Sequence, residues 1–292
     1  MLRIKAPASS ANIGPGFDCL GIGLDVYNTY EVEPADTDIL ENTEERYNNR
    51  DNLFLQAYRA GCEAIGVHDH VRVRFDTQIP STRGMGSSAA FLAAGVAAAG
   101  ALHGNVFTKD DIFQLITRIE GHPDNTGPCV YGGLCASLKT DSGRWLIRQL
   151  PVHESWKFTL LVPDFEISTR QARQILPASY SRADTAASVA NALMVTQALR
   201  DGDAELLQSA CRDVIHEPYR AALISGYEQV RAIACEDTGG RLVISGSGPA
   251  LLLISKKELS ESAGQKIKSA GGHTWQMINA RTAQEGIILE GI

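Results

Sequence analysis

Alternating hydrophobic and polar residues mark several stretches of the chain as β-strands. Val71, Val73 and Phe75 are apolar at every second position, a period that turns one face of a strand towards a core. The stretch 21–34 shows a partial alternation of the same kind. Apolar runs predict further strands at 2–6, 130–138, 157–162, 241–245, 250–254 and about 274–278.

Helical spacing of apolar residues marks other stretches of the chain. Between residues 53 and 65 they recur at intervals of three or four, and Asp51 or Asn52 can cap this helix. Thr108 begins a capping-box pattern ahead of a helix that ends near residue 120. Further helices are predicted at 89–102, 168–177, 184–200, 203–213 and 258–270. A change in polarity at 151–156 predicts a domain boundary there.

The segment 80–90 connects a predicted strand to a predicted helix and has the sequence Pro-Ser-Thr-Arg-Gly-Met-Gly-Ser-Ser-Ala-Ala. Gly84 and Gly86 allow the backbone to approach a ligand closely. Ser87 and Ser88 then open the helix, where unpaired N–H groups and the helix dipole favour phosphate. A plain turn before a core helix is the alternative. No Gly-Lys-Ser/Thr follows, so the segment is not the common P-loop.

Two other loops are rich in glycine. The loop 7–18 carries Asn12 and Asp18 as candidate polar contacts, although an ordinary connection between strands would have a similar composition. The segment 246–249, Gly-Ser-Gly-Pro, lies between two apolar strands and predicts a hairpin tip with a close backbone approach.

Polar groups concentrate between residues 120 and 128, which we predict to form a turn. Glu120, His122, Asp124 and Asn125 are separated only by Gly and Pro. A carboxylate that faces a phosphate loop could hold Mg²⁺, which prefers oxygen ligands. Each residue alone could be an ordinary turn or surface residue, but their concentration favours a functional site.

Two arginines are candidates for binding a carboxylate. Thr169 and Arg173 are four residues apart and share a helical face, and a guanidinium binds a carboxylate through two hydrogen bonds. Arg220 follows Pro218 between predicted helices. From the residues alone, a capped surface helix with an exposed arginine is the favoured interpretation of Thr169 and Arg173, and Arg220 could reach a ligand or simply lie at the surface.

Composition narrows the class of protein. The chain has 292 residues, with 27 Lys+Arg against 34 Asp+Glu and a net charge of −7. This balance excludes nucleic acid as the main partner. The apolar run 89–102 is shorter than the roughly 20 residues of a membrane helix, and no apolar leader follows the first residue. The 6 cysteines are scattered, which is typical of reduced thiols in a cytoplasmic protein.

The order of the three glycine-rich segments, 7–18, 80–90 and 245–249, resembles that of the GHMP kinases, the superfamily of galactokinase and of homoserine, mevalonate and phosphomevalonate kinases. Within it, the stretches 9–18, 121–125, 168–173 and 216–220 are similar to those of homoserine kinases. The resemblance implies an α+β fold of two domains, 1–152 and 153–292. The first would contain a left-handed β-α-β unit, the second would be ferredoxin-like, and the active site would lie between them.

The resemblance also implies where ATP and Mg²⁺ bind. Asn52 would line the pocket of the nucleotide base, and Ser88 and Glu120 would lie near Mg²⁺. The nucleotide phosphates would lie on a loop made of Pro80, Ser81, Thr82, Arg83, Gly84, Met85, Gly86, Ser87, Ser88, Ala89 and Ala90.

For the acceptor, the resemblance implies phosphorylation of the hydroxyl of L-homoserine, a step of threonine biosynthesis. The amino group would meet Asn12 and Asp18, and the carboxylate would meet Thr169, Arg173 and Arg220. The catalytic group would comprise Asp18 with His122 and Asn125, which would lie beside the hydroxyl, and we expect no side chain to act as an obligate base.

Alternatives stay open at this point. The chain could be another GHMP kinase that acts on threonine, mevalonate or a sugar. It could also be a catalytically silent ligand sensor on the same fold, or a scaffold. A homodimer is expected from the family alone.

Overall fold

The computed structural model describes residues 1–291. Within this range one sheet has seven strands, in the order β11-β1-β2-β4-β3, with β5 beside β2 and β6 beside β5. Pairing is antiparallel except between β3 and β4. The strands are β1 (Leu2–Ala11), β2 (Leu20–Ala35), β3 (Ile39–Glu41), β4 (His70–Asp76), β5 (Leu134–Lys139), β6 (Trp145–Leu150) and β11 (Ile288–Glu290).

Four helices pack with this sheet: α1 (Leu53–Ala64), α2 (Ser87–Leu102), α3 (Lys109–Glu120) and α4 (Pro123–Tyr131). Helix α2 is apolar on all sides and almost wholly buried, because α1, α3, α4 and the sheet surround it. The rings of Tyr30, Phe54 and Phe75 form an aromatic cluster with Phe91 of α2, at centroid distances of 5.5 to 5.9 Å. The start of α2 is therefore fixed by a dense core.

The second sheet has the order β10-β7-β9-β8, and each pair in it is antiparallel. Numbered within this sheet alone, the order is 4-1-3-2, which confirms the predicted ferredoxin-like plan. Its strands are β7 (Lys157–Pro163), β8 (Arg241–Ile244), β9 (Leu251–Ser255) and β10 (Trp275–Ala280), and its helices are α5 (Thr169–Gln174), α6 (Arg182–Asp201), α7 (Ala204–Ala210), α8 (Glu217–Arg220), α9 (Tyr227–Thr238) and α10 (Glu261–Ile267).

The chain passes between the sheets twice. After β6 it enters the second sheet at β7, and after β10 it returns, so that β11 pairs with β1. The domain division at 152/153 stays a prediction, and a β-α-β unit is present where β3, α1 and β4 follow one another with the two strands parallel. The predicted handedness of that unit also stays a prediction.

Most predicted elements are confirmed, including the caps of α1 and α3. Asn52 Oδ1 accepts a hydrogen bond from the N–H of Phe54, and Thr108 forms its capping box with Asp111. The hairpin around 246–249 is confirmed by the pairing of β8 with β9.

The turn predicted at 120–128 and the strand predicted from residue 130 are wrong. Residues 123–131 form α4, and the strand β5 begins only at Leu134. Pro123 occupies the first turn of α4, where its fixed φ favours a helix. Gly127 and Pro128 suggested a loop, but the buried faces of α4 pack on β1, β2 and α3 and outweigh that tendency.

Among the described residues, no helix is both long and apolar enough to cross a membrane.

Candidate active site

A cavity of about 300 Å³ lies where the two sheets meet, and the three glycine-rich segments contribute to its wall. Most of the predicted site residues line it. Pro80, Ala89 and Ala90 do not, since the two alanines are fully buried in the core. The predicted residues that do line it are Asn12, Asp18, Asn52, Ser81, Thr82, Arg83, Gly84, Met85, Gly86, Ser87, Ser88, Glu120, His122, Asn125, Thr169, Arg173 and Arg220.

The phosphate-loop candidate is held by its backbone. The carbonyl of Met85 accepts a hydrogen bond from Ser9 N at 3.1 Å, and the carbonyl of Arg83 accepts one from Ala250 N at 2.9 Å. Ser245 Oγ donates to the carbonyl of Gly84 at 2.6 Å. Strand β1 and the hairpin between β8 and β9 therefore fix the loop. The first residues of α2, whose N–H groups have no partner within the helix, line the cavity.

The side chain of Arg83 joins the loop to the second sheet. Its guanidinium donates to the carbonyls of Pro163 and Asp164 at 3.0 and 3.2 Å. It also lies 3.1 Å from the carboxylate of Glu166. Arg83 therefore links the loop to the end of β7.

The side of the cavity that the sequence predicts to receive the nucleotide base is lined by Tyr47, Asp51, Asn52 and Leu53. Both polar atoms of the Asn52 amide serve the fold, because Oδ1 caps α1 and Nδ2 donates to the carbonyl of Tyr47 at 3.0 Å. Asn52 thus shapes this end of the cavity mainly by holding Tyr47 in place. Sequence reasoning missed Tyr47.

An oxygen pair suited to Mg²⁺ lies beside the loop. Ser88, in the first turn of α2, donates its hydroxyl to Glu120 Oε2 at 2.6 Å, and the Glu120 side chain is 13% exposed. One carboxylate and one hydroxyl fit a Mg²⁺ ion that takes its other ligands from phosphate and water. The described residues hold no group of three or more His, Cys, Asp or Glu that could hold a metal ion.

His122 is oriented by Asp124, a residue of the same predicted polar cluster to which the sequence analysis gave no role of its own. Its Nδ1 lies 2.7 Å from Oδ1 of the buried Asp124, and its Nε2 lies 4.0 Å from Glu120 Oε1. Burial alone would lower the pKa of His122, but the hydrogen bond and charge of Asp124 and the charge of Glu120 raise it above its ordinary value.

Asn125 connects the first and second glycine-rich segments. Its Oδ1 accepts a hydrogen bond from Ser9 Oγ at 2.9 Å, and a Cβ added at Gly86 would lie 3.1 Å from the same oxygen and 2.0 Å from Ser9 Oγ. His122, Asn125 and the start of α2 are thereby brought to one place.

The opposite end of the cavity is charged. Asp18 and Arg173 form two parallel hydrogen bonds of 2.9 and 3.0 Å. Asn12 holds the Asp18 backbone, because its Oδ1 accepts from Asp18 N at 3.0 Å while its Nδ2 donates to the carbonyl of Gly246. The hydrogen bond to Asp18 raises the pKa of Arg173.

Arg220 differs from Arg173 in burial and in partners. It is 2% exposed, and its guanidinium donates to the carbonyls of Ala172 and Gly246 at 3.1 and 2.9 Å. None of the described carboxylates forms an ion pair with it. Burial and the nearby Arg173 both lower its pKa, so an anion at this end of the cavity would relieve an unfavourable charge.

His216 supports this arginine, a role that sequence analysis missed. It is fully buried, its Nε2 lies 2.9 Å from the carbonyl of Gly14, and its Nδ1 lies 3.4 Å from Arg220. Nε2–H then donates to Gly14 and leaves Nδ1 to accept from the guanidinium. The spacing of four residues between His216 and Arg220 was the available signal.

The comparisons with known proteins agree with this geometry. The family model of the GHMP kinases N terminal domain matches residues 52–133, and that of the GHMP kinases C terminal matches residues 195–273. The chain belongs to the GHMP kinases.

Among curated relatives, the homoserine kinase of a Synechococcus species is 39% identical over 282 residues, which cover 94% of this chain and 91% of the relative. That of Clostridium botulinum strain Kyoto is 36% identical, covering 88% and 87%. The crystal structure of homoserine kinase from Cytophaga hutchinsonii superposes with a TM-score of 0.85 at 27% identity, covering 99% of this chain and 96% of that one. Within the superfamily, the chain therefore belongs to the homoserine kinases.

Gly84→Ala should weaken nucleotide binding. Gly84 has φ +79°, and an added Cβ would lie 2.3 Å from the carbonyl oxygen of Ser245 and 2.9 Å from that of Gly248. The loop must then move, and misplaced N–H groups should weaken ATP binding by about tenfold or more, measured by calorimetry.

Gly143→Ala is the matched control. Gly143 has φ +83° and nothing within 4 Å of an added Cβ, so it carries the same backbone strain of about 1 kcal/mol without the clash. Equal ATP affinity in the two variants would contradict the assigned role of the loop.

Proposed function

We propose that this chain transfers the γ-phosphoryl group of ATP to the hydroxyl of L-homoserine, giving ADP and O-phospho-L-homoserine. One observation carries the proposal. A single cavity joins the open start of α2 to a carboxylate, Asp18, and two guanidiniums, Arg173 and Arg220. The first end suits phosphates, and the second suits the two charged groups of an amino acid. Family membership supports the use of ATP.

Each residue has a proposed role in binding. The N–H groups of 84–88 hold the phosphates, and Asn52 and Tyr47 shape the base pocket. Asp18 and Asn12 receive the ammonium group, and Arg173, Arg220 and Thr169 receive the carboxylate. Ser88 and Glu120 would hold Mg²⁺, which supplies neutralisation of the phosphate charge when bound.

Catalysis rests on positioning, with His122 and Asn125 beside the acceptor hydroxyl. Phosphoryl transfer requires alignment and charge stabilisation more than covalent chemistry. The raised pKa of His122 makes its cationic form more populated than in an ordinary histidine. A cation stabilises developing negative charge but cannot accept a proton from the hydroxyl. We therefore assign no obligate base to the site.

A cytoplasmic homodimer completes the proposal. The scattered cysteines, none of which is in a disulfide within the described residues, support the compartment. The dimer rests on the expectation from the family.

A panel of acceptors tests the function directly. With ATP and Mg²⁺, ADP release should be fastest with L-homoserine, with kcat/KM about 100-fold or more above L-threonine and mevalonate. L-Threonine carries its hydroxyl on C3 instead of C4, and mevalonate has no ammonium group. Faster turnover of mevalonate or threonine would favour another kinase of the superfamily. Binding of homoserine without any turnover would favour a ligand sensor.

Glu120→Gln should raise the Mg²⁺ concentration required for half-maximal activity by about tenfold, because a neutral amide is a poorer ligand than a carboxylate. The hydrogen bond from Ser88 can persist in this variant. Glu63→Gln, an exposed position on α1, is the control and should behave as wild type. An unchanged Mg²⁺ requirement in Glu120→Gln would remove Glu120 from the metal site.

His122→Gln should lower kcat by less than about 30-fold, because removal of an obligate base typically costs about 10²- to 10⁴-fold. Steady-state kinetics at saturating ATP and homoserine measure this change. His68→Gln, at an exposed histidine, is the control for loss of an imidazole. A loss above about 1000-fold with intact ligand binding would show that His122 is the base after all.

A further inference from the structure

Asp18 and Arg173 are each other's partners in the structure, although both are proposed to bind the substrate. Their two hydrogen bonds engage both carboxylate oxygens and two guanidinium nitrogens. The same atoms are those required by an ammonium and a carboxylate of a ligand. A substrate that uses them must therefore separate them.

The pair can open at little cost. The side chains of Arg173 and Asp18 are 39% and 35% exposed, and an exposed ion pair contributes only about two- to fivefold to an equilibrium constant. Arg220, buried behind them, is fixed by two carbonyls and by Phe17, whose ring lies 5.2 Å from the guanidinium. One arginine is thus movable and the other is fixed.

We propose that the site selects zwitterions by exchange of ion pairs. This inference rests on the proposed function. The ammonium of the ligand replaces Arg173 at Asp18, and the released Arg173 joins Arg220 on the ligand's carboxylate. Asp18 exchanges one cationic partner for another, and Arg173 exchanges one carboxylate for another. The exchange therefore leaves no charge unpaired.

A ligand with a single charge cannot complete this exchange. A ligand that has a carboxylate but no ammonium group finds Arg173 already paired with Asp18. Its carboxylate can then bind only Arg220. An ammonium alone takes Asp18 and leaves two neighbouring guanidiniums without an anion, which is unfavourable because each already opposes the charge of the other. Recognition of the two ligand charges is therefore coupled and not additive.

Asp18→Asn distinguishes this exchange from a site with fixed contacts. The probes are L-homoserine and 4-hydroxybutyrate, which is homoserine without its amino group. Under exchange, the variant should bind homoserine about tenfold or more weakly and 4-hydroxybutyrate about two- to fivefold more tightly than wild type, because Arg173 is released. Calorimetry in the presence of a non-hydrolysable ATP analogue measures both.

Removing any negative charge from the cavity strengthens the binding of an anionic ligand, so a control that removes the same charge elsewhere is required. Asp124 acts on Arg173 through its charge alone, without a hydrogen bond to it. Asp124→Asn should therefore strengthen 4-hydroxybutyrate binding less than Asp18→Asn does. When Arg173→Gln is already present, adding Asp18→Asn should increase the affinity for 4-hydroxybutyrate no more than Asp124→Asn does.

A second measurement uses the wild-type protein. Methylammonium chloride should occupy Asp18, release Arg173 and tighten the binding of 4-hydroxybutyrate about two- to fivefold relative to the same concentration of sodium chloride. This test does not depend on the folding of a variant.

The outcomes separate the two proposals. If wild type phosphorylates homoserine but neither Asp18→Asn nor methylammonium improves the binding of 4-hydroxybutyrate, the exchange is wrong and the proposed function stands. Equal gains in Asp18→Asn and Asp124→Asn, with no effect of methylammonium, also overturn the exchange. If wild type neither binds nor phosphorylates homoserine, the proposed function itself fails.

Discussion

The site depends on the backbone contact between the phosphate-loop candidate and the hairpin of the second sheet. The carbonyls of Arg83 and Gly84 accept hydrogen bonds from Ala250 and Ser245, and only hydrogen fits at the Gly84 α-carbon beside that hairpin. The position of the loop therefore depends on how the two sheets are placed relative to each other. The same contact therefore brings together the end of the cavity proposed for the nucleotide and the end proposed for the amino acid.

The two ends differ in how their charges are stabilised. Glu120, Asp124 and His122 form a close group of two carboxylates and an imidazole beside the loop. Arg220 is stabilised by carbonyl dipoles, by His216 and by an aromatic face. A buried guanidinium without a carboxylate costs stability in the protein alone. Its presence is explained if binding of an anion compensates for that cost.

Local sequence signals predicted the elements that local physics determines. The caps at Asn52 and Thr108 and the loop 80–90 follow from residues close in sequence. Helix α4 was missed because its Gly and Pro residues indicate a turn, whereas its burial against distant strands determines the helix. The return of β11 to β1 joins the two ends of the chain, and no local pattern could indicate it.

The candidate site could be predicted as a set of residues but not as a set of contacts. Asp18 and Arg173 are 155 positions apart, so the sequence suggested a partner for each in the ligand and could not indicate that they bind each other. Asp124 is only two positions from His122, but the sequence did not indicate that its carboxylate would orient that imidazole. In both cases the residue types were sufficient to propose the ligand's chemistry. Selectivity, in contrast, depends on which protein charges compete with the ligand, and that competition exists only once the two sheets have come together.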